Sequence, residues 1–386
     1  MKSTERDKYL YNNNLSLYAH IPFCVVKCGY CDFNSFAGTD GGLQASVIEG
    51  MLRELELRSD DLRPRTIFLG GGTPTHISPT LLEQFLRGIQ ERVDLSGVVE
   101  YSSEANPESA NEEQLGILLE HGVRRLSLGV QSFDEKHLRF LDRAHDVEDA
   151  IRAFELARRV GFDAVSLDMI FGIPGQSTEE WLDELRQAIA LEPDHLSCYH
   201  LTFEPGTQLH VDLSKGRVQE IAEEEGRRML METRSCLQEA GYPAYEISNF
   251  SRPGQECQHN LHYWNAGSYL GIGPGASSHR DGIRQANLRP LHSYLQALEE
   301  QGCPIASAET LDPAHRCREA LWLGLRLARG VDLARVTHLT SVDPRELFAD
   351  LLGQMIAEGQ ILEENGWIRI PEDRLPLADR ITACFL

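Results

Sequence analysis

An α/β fold built on a parallel sheet is predicted from three observations. Short apolar or β-branched runs recur through the first half of the chain, and each has the length and composition of a buried strand. The runs span residues 15–21, 66–69, 98–103, 125–130, 164–171 and 195–203. Amphipathic segments separate the runs, and polar motifs follow their ends. Six strand–helix units of this kind form a parallel sheet with right-handed crossovers.

Helix-start signals support this alternation. Ser78 precedes Pro79, a residue favoured at the first helical position, and Ser177 with Glu180 three residues later is a capping-box pattern. Functional groups of curled parallel sheets gather at the carboxyl ends of the strands. The motif residues at or just after these ends are Cys24, Gly70 to Thr73, Glu104, Gln131 and Asp168. We therefore expect one functional edge on this sheet.

The chain is predicted to divide into three parts: a core over 1–210, a helical and Gly-rich extension over 211–299, and a C-terminal domain over 300–386. Asp343 as helix cap, Pro344, and a hairpin at Asn365 and Gly366 predict a winged-helix-like α+β domain there. Its hairpin carries Glu363 and Glu364. These charges favour a packing or lid role over DNA binding.

Composition and charge exclude several classes of function. The 386 residues carry 37 Lys and Arg against 59 Asp and Glu, a net charge of -22, which disfavours nucleic acid and anionic membranes as partners. No stretch reaches the roughly 20 apolar residues of a membrane span. Residues 1–14 lack the apolar run of a signal peptide, so a cytoplasmic location is expected.

Three of the nine cysteines, Cys24, Cys28 and Cys31, fall within eight residues. A cytoplasmic protein keeps its thiols reduced, so this group indicates a metal site and no disulfide framework. Three thiols from one loop suit a [4Fe–4S] cluster whose fourth iron stays open. A zinc knuckle completed by His20 or Asp32 is the alternative.

The CxxxCxxC spacing, with Tyr30 before the last cysteine, resembles the radical S-adenosylmethionine (SAM) superfamily. That resemblance implies a partial (β/α)6 radical SAM barrel and SAM bound to the open iron through its amino and carboxylate groups. The segment Gly70-Gly71-Gly72-Thr73-Pro74 is similar to the glycine segment of the superfamily, where bare backbone lies close to the SAM ammonium.

Within the superfamily the chain resembles the coproporphyrinogen dehydrogenase (HemN) group along nearly its whole length. The resemblance implies that SAM is held by Tyr18, Tyr30, Gly71, Gly72, Thr73, Glu104, Gln131, Arg143 and Asp168. Arg143 would pair with the methionine carboxylate, while Gln131 and Asp168 would bind the ribose hydroxyls. No catalytic residue is assigned.

Two departures from the dehydrogenases point to the haem-chaperone branch of this group. The dehydrogenases carry a fourth cysteine two residues past the third, where this chain has Phe33, and they have a longer arm than the 23 residues before Cys24. The segment from His259 to Trp264 also matches the HNxxYW motif associated with haem in that branch. His259 is the expected axial ligand, with His262 as a competing candidate.

Three functions follow as hypotheses. The first is a haem chaperone that binds haem and delivers it to apo-haemoproteins. The second is an oxygen-independent coproporphyrinogen III dehydrogenase that decarboxylates its substrate by a SAM-derived radical, and the third is another SAM-dependent oxidation. The expected cofactors are the [4Fe–4S] cluster, SAM and haem. The expected partners are haem donor and acceptor proteins, such as respiratory cytochromes, and a homodimer stays open.

Replacing Cys24, Cys28 or Cys31 by Ala should abolish the cluster, because three protein ligands leave none to spare. Iron and sulfide content and the brown colour of the anaerobically reconstituted protein measure this. The control positions are Cys198, Cys257 and Cys303. Their Ala variants should keep the cluster. Stoichiometric zinc without iron or sulfide in the wild type would make the cluster assignment wrong.

Overall fold

The computed structural model describes residues 15–58 and 62–386. The expectation drawn from residues 1–14 lies outside these ranges. The strands, numbered in chain order, are β1 Leu15–Ile21, β2 Phe23–Cys24, β3 Phe36–Ala37, β4 Pro64–Gly71, β5 Glu100–Ala105, β6 Arg125–Gln131, β7 Ala164–Phe171, β8 His195–His200, β9 Asn249–Ser251, β10 Tyr269–Ile272, β11 Ser277–Arg280, β12 Ile283–Asn287, β13 Ile305–Thr310, β14 Val331–Asp332, β15 Leu362–Glu364 and β16 Trp367–Arg369.

The helices surround these strands and alternate with them in the first half of the chain. They are α1 Gly41–Arg58, α2 Pro79–Arg92, α3 Glu112–Glu120, α4 Glu135–Phe140, α5 Val147–Val160, α6 Thr178–Ala190, α7 Gln208–Ser214, α8 Glu223–Glu239, α9 Gln258–Trp264, α10 Leu291–Gln301, α11 Pro313–Gly324, α12 Leu333–Thr340, α13 Pro344–Leu347, α14 Ala349–Ala357 and α15 Ala378–Ala383. No helix in the described ranges is long and apolar enough to cross a membrane.

The six predicted strands form the parallel centre of one large sheet. Their order is β1-β4-β5-β6-β7-β8, and every neighbouring pair is parallel. This confirms the predicted α/β class. The sheet continues beyond both edges, through β10, β11, β12 and β13 on the β1 side and through β9 on the β8 side. Among the described residues the two edge strands, β13 and β9, do not pair with each other, so the sheet forms a partial and not a closed barrel.

The predicted helix caps are formed. The Ser78 hydroxyl accepts a hydrogen bond from the Leu81 amide at the start of α2. At the start of α6, Ser177 and Glu180 make both bonds of a capping box. These caps fix where each helix begins after its strand, so the intervening loops stay short at the carboxyl edge of the sheet.

The C-terminal domain has its own hydrophobic core, separate from the core of the sheet. Its order of elements, α11-β14-α12-α13-α14-β15-β16, with the sheet order β14-β16-β15, is that of a winged helix. The wing turns at Asn365 and Gly366, both with positive φ, as a tight hairpin requires. The boundary expected at residue 300 precedes β13, which still pairs with β12 in the large sheet.

A buried carboxylate joins the sheet extension to the barrel. Glu54 of α1 is fully buried and accepts hydrogen bonds from the Gly273 amide (2.8 Å), the Asn287 side chain (2.8 Å) and the Tyr294 hydroxyl (2.7 Å). It also pairs with Arg58 at 2.7 Å. One side chain therefore holds together α1, the strand extension and α10.

Glu54→Ala should lower the free energy of unfolding by about 3 kcal/mol or more, because it leaves several buried donors without an acceptor. Chemical denaturation of the full chain measures the change. Glu49→Ala is the matched control, since Glu49 is exposed on the same helix. Its unfolding should stay within about 0.5 kcal/mol of the wild type. Equal stability of the two variants would remove Glu54 from this role.

Candidate cluster and SAM site

The three motif cysteines lie on the loop that follows β1, at the carboxyl edge of the parallel strands. Cys24 stands in β2, which pairs with β3, and the Cys31 amide donates to the Cys28 carbonyl in a tight turn (3.1 Å). All three thiols are partly accessible. The Thr73 hydroxyl approaches Cys24 Sγ at 3.7 Å. Cys24 therefore lies beside the segment that follows β4.

The glycine segment supports this loop through backbone hydrogen bonds. The Gly72 amide donates to the Ile21 carbonyl (2.8 Å), and the Thr73 amide donates to the Phe23 carbonyl (2.7 Å). A Cβ at Gly72 would come within 2.6 Å of the Phe23 carbonyl oxygen. Gly71 has φ 103°, a conformation that suits glycine. The close approach of the two segments therefore depends on glycine at these positions.

A single-ion site is not formed among the described residues. No three His, Cys, Asp or Glu side chains within 15–58 and 62–386 lie close enough to hold one metal ion. In a [4Fe–4S] cube each cysteine binds a different iron, which calls for a wider cage. Both ring nitrogens of His20, a candidate zinc ligand, already bond the Tyr18 hydroxyl and the Asn34 carbonyl, at 3.0 Å each.

Two partly buried carboxyl groups lie deeper at the same edge. Glu104 accepts a hydrogen bond from the Gly71 amide at 3.1 Å, and Asp168 accepts one from the Ser127 hydroxyl at 2.9 Å. Burial, with a further contribution from Asp168, raises the pKa of Glu104 to about 8. Burial also raises the pKa of Asp168. A cationic ligand such as SAM would favour the charged forms, so the residues present fit that ligand.

Arg143 is a partly buried cation of the site. Its Nη2 donates to Asn106 Oδ1 and to the Gly129 carbonyl, each at 2.8 Å, and its Nη1 lies 3.5 Å from Cys28 Sγ. The Arg143 Nε is buried with no hydrogen-bond partner among the described residues. That orphaned donor suits a carboxylate ligand, in agreement with the role expected for Arg143 toward SAM.

The remaining expected SAM residues lie at the same edge or line the lumen beneath it. Tyr18 is part of β1 and stacks on Phe68 with a centroid distance of 6.3 Å. Tyr30 packs on a small apolar cluster that includes Leu141 and Ile173. Gln131 ends β6 with φ 67°, a sharp turn at the strand end. The structure thus places the nine residues around one end of the barrel.

Two supporting residues were not found from the sequence. Asn106 donates to Thr73 Oγ1 at 2.8 Å while its oxygen accepts from Arg143, so it connects the glycine segment to the arginine. Its position two residues past Glu104, at a strand end, was an available signal. The second residue is Glu184 of α6, which had no local signal.

Glu184 is buried and holds two loops of the carboxyl edge. It accepts hydrogen bonds from the Ser132 hydroxyl and the Phe133 amide after β6. It also accepts from the Gln176 side chain after β7 (3.0 Å) and bonds His137 (2.8 Å). Glu184 therefore fixes the turn that displays Gln131.

The HNxxYW segment lies at the opposite end of the barrel. His259 is 1% exposed, and its Nδ1 and Nε2 bond the hydroxyls of Thr66 (2.7 Å) and Tyr263 (3.0 Å). Burial lowers the pKa of His259 to about 3, so the ring is neutral. Iron ligation by His259 stays a prediction, and it would require one of these two bonds to break.

Comparisons with known proteins define the class. Residues 18–188 match the Radical SAM superfamily, and residues 311–375 match the HemN C-terminal domain. The solved structure of coproporphyrinogen III oxidase (HemN) from Escherichia coli, a radical SAM enzyme, superposes with a TM-score of 0.84 at 22% identity. The match covers 99% of this chain and 93% of that chain, and it shows the fold. The chain has the architecture of a radical SAM protein.

The sequence comparisons narrow the class to a family. Heme chaperone HemW of Bacillus subtilis (strain 168) is 33% identical over 382 residues, covering 96% of this chain and 99% of that protein. Heme chaperone HemW of Escherichia coli (strain K12) is 41% identical over 266 residues, covering 68% and 69%. The chain belongs to the HemW family. The predicted radical SAM resemblance is confirmed, and with it the cluster and SAM as cofactors.

Arg143→Ala and Asp168→Asn should weaken SAM binding while leaving iron content near normal, because neither side chain is expected to bind iron. Loss of a charge-assisted hydrogen bond costs about 1.5–3 kcal/mol, or roughly ten- to a hundredfold in affinity. Calorimetric titration of the reconstituted protein with SAM measures this. Arg139→Ala, at an exposed arginine of α4, is the control. Wild-type affinity in both site variants would place SAM elsewhere.

Proposed function

We propose that this chain is a haem chaperone that binds haem and delivers it to apo-haemoproteins. One observation carries the proposal. The heme chaperone of Bacillus subtilis matches along almost the full length of both chains, through the barrel and the C-terminal domain alike. The likeness therefore includes α9 and the domain that follows it, which the match to the Radical SAM superfamily alone does not reach.

Cys24, Cys28 and Cys31 are proposed to hold the [4Fe–4S] cluster, with SAM on the open iron. The nine residues expected around SAM would orient it, with Arg143 toward its carboxylate and the Glu104 and Asp168 carboxyl groups toward its cationic and hydroxyl groups. When bound, the cluster supplies one-electron chemistry to SAM. Among these side chains, Arg143 keeps a donor available through its unpartnered Nε.

The dehydrogenase is the alternative function, and Phe33 argues against it. The group of dehydrogenases carries a cysteine at this position, two residues past Cys31. In this chain the Phe33 side chain is 62% exposed, at the outer surface of the cysteine loop. A phenyl ring offers no thiol or proton donor there. The fold is common to both functions, so it does not distinguish them.

The proposal includes haem donor and acceptor proteins, with respiratory cytochromes among the acceptors, and it leaves the assembly, monomer or homodimer, open. We place this function in the cytoplasm, where reduced thiols are available to bind iron. The wing bears Glu363, paired with Arg345 at 2.9 Å, beside Glu364 in β15. These carboxylates support the prediction that the C-terminal domain does not bind nucleic acid.

Optical titration of the full chain with haem should give saturable binding near one haem per chain, followed by transfer to an apo-cytochrome upon mixing. In a second experiment, the protein with its cluster reconstituted is incubated anaerobically with coproporphyrinogen III, SAM and reductant. We expect no protoporphyrinogen by mass analysis. A wild type that takes up no haem would refute the chaperone function, and formation of protoporphyrinogen would establish the dehydrogenase in its place.

A further inference from the structure

A large cleft lies at the end of the barrel opposite the cysteine loop. It is formed by the amino-terminal ends of the central strands, by α9 and by the C-terminal domain, and its volume is about 1170 Å³. Small-molecule pockets usually hold roughly 300–1,000 Å³, so this cleft has room for a ligand of porphyrin size. In barrel proteins this face is ordinarily structural. A cleft of this size there calls for a separate explanation.

Helix α9 separates the cleft from the barrel lumen. Its cleft face is formed by Gln258, Leu261, His262 and the cap residue Asn265, at the i, i+3, i+4 and i+7 spacing of one helix side. The other side of α9 carries His259 and Tyr263. These two rings pack into the lumen, where His259 stacks on Phe68 with a centroid distance of 5.1 Å. The helix phase therefore directs His262, and not His259, to the cleft.

His262 has the electronic state of a metal ligand. Its Nε2 donates to the Ser268 carbonyl at 2.6 Å, which leaves the lone pair of the neutral ring on Nδ1. Burial lowers the pKa of His262 to about 4, so the ring is neutral at physiological pH. A Cβ at Gly267 would come within 2.3 Å of this ring. Gly267 thus makes room for the imidazole.

The charge of the cleft differs from that of the whole chain. Its arginines are Arg65, Arg124, Arg125, Arg329 and Arg335. Its carboxylates are Glu100, Glu120, Asp163 and Glu256. Arginines thus outnumber carboxylates here, although the chain has 37 basic residues against 59 acidic ones. Glu100 is further engaged by the Gln258 and His259 amides at the start of α9, at 2.9 and 3.0 Å.

Two of these arginines stand on the C-terminal domain and face α9. Arg329 donates to Asn265 Oδ1 at 3.2 Å, and Arg335 donates to the Asn265 carbonyl. A guanidinium has five N–H donors in a planar fork that matches the geometry of a carboxylate. Leu327 and Leu339 of the same domain also line the cleft. This set of groups matches a flat apolar ring that carries two carboxylates and a metal ion with affinity for imidazole.

We propose that haem binds in this cleft, with His262 as its axial ligand and its propionates among the cleft arginines. This inference rests on the proposed haem-chaperone function and gives it a location. It separates the haem from the cluster and SAM by the length of the barrel. The HNxxYW segment then serves two purposes, since His259 anchors α9 in the lumen while His262 presents a nitrogen to the ligand.

The test titrates the full chain with haem and, separately, with iron-free protoporphyrin IX. His262→Gln should shift the Soret band and weaken haem binding by about tenfold, while leaving the porphyrin affinity near that of the wild type. Gln can still donate to the Ser268 carbonyl, so the fold is kept. Added imidazole should restore the haem spectrum in His262→Ala. His259→Gln should leave the Soret band unchanged, although this variant should be less stable than the wild type.

The arginines are tested by charge reversal at exposed positions. Arg124→Glu and Arg329→Glu should each weaken both haem and iron-free porphyrin by about threefold to tenfold, the range expected for partly exposed charge pairs. Arg139→Glu, at the cluster end, makes the same change in net charge and should have no effect. Circular dichroism checks that each variant is folded.

The outcomes separate the two proposals. A wild type without haem affinity defeats the chaperone function itself. Two outcomes with saturable wild-type binding overturn the cleft site alone. One is an unchanged spectrum and affinity in His262→Gln, and the other is haem affinity in the cleft arginine variants equal to that of Arg139→Glu. A Soret shift in His259→Gln but not in His262→Gln would likewise overturn it and assign the iron to His259.

Discussion

Two backbone hydrogen bonds, from the Gly72 and Thr73 amides to the carbonyls of Ile21 and Phe23, attach the cysteine loop to the glycine segment. They require a bare backbone at Gly72, where a Cβ would meet the Phe23 oxygen. From Thr73 the network continues through Asn106 to Arg143, which returns to Cys28. The cysteine loop, the glycine segment and Arg143 are therefore positioned as one unit.

The parallel half of the sheet was predictable because its strands are buried on both faces. Such strands are continuous apolar runs, and β1 and β7 match the predicted bounds residue for residue. The extension was missed for the opposite reason. Strands β11 to β13 are short, polar and largely exposed, so they carry no periodic signal. Their place in the sheet depends on contacts distant in sequence, such as those of Glu54.

Functional residues whose spacing lies within one loop could be predicted from the sequence. Residues defined by hydrogen bonds between distant segments could not. The cysteine motif and the strand-end residues could be read locally. Glu184 could not, because its partners come from loops that only the sheet brings together. The choice between His259 and His262 was open in the sequence, since both lie within one motif. It depends on the rotation of α9 against β4, which is a tertiary property.

The stacked rings in the barrel lumen have a thermodynamic consequence. Tyr18, Phe68 and His259 form a continuous column, and Tyr263 packs against its lower end. One end of the column borders the cluster edge and the other belongs to the helix that walls the cleft. If a ligand in the cleft moved α9, this column of packed rings would carry the displacement to Tyr18. Any such coupling would be reciprocal: the factor by which SAM changed the affinity for haem would equal the factor by which haem changed the affinity for SAM.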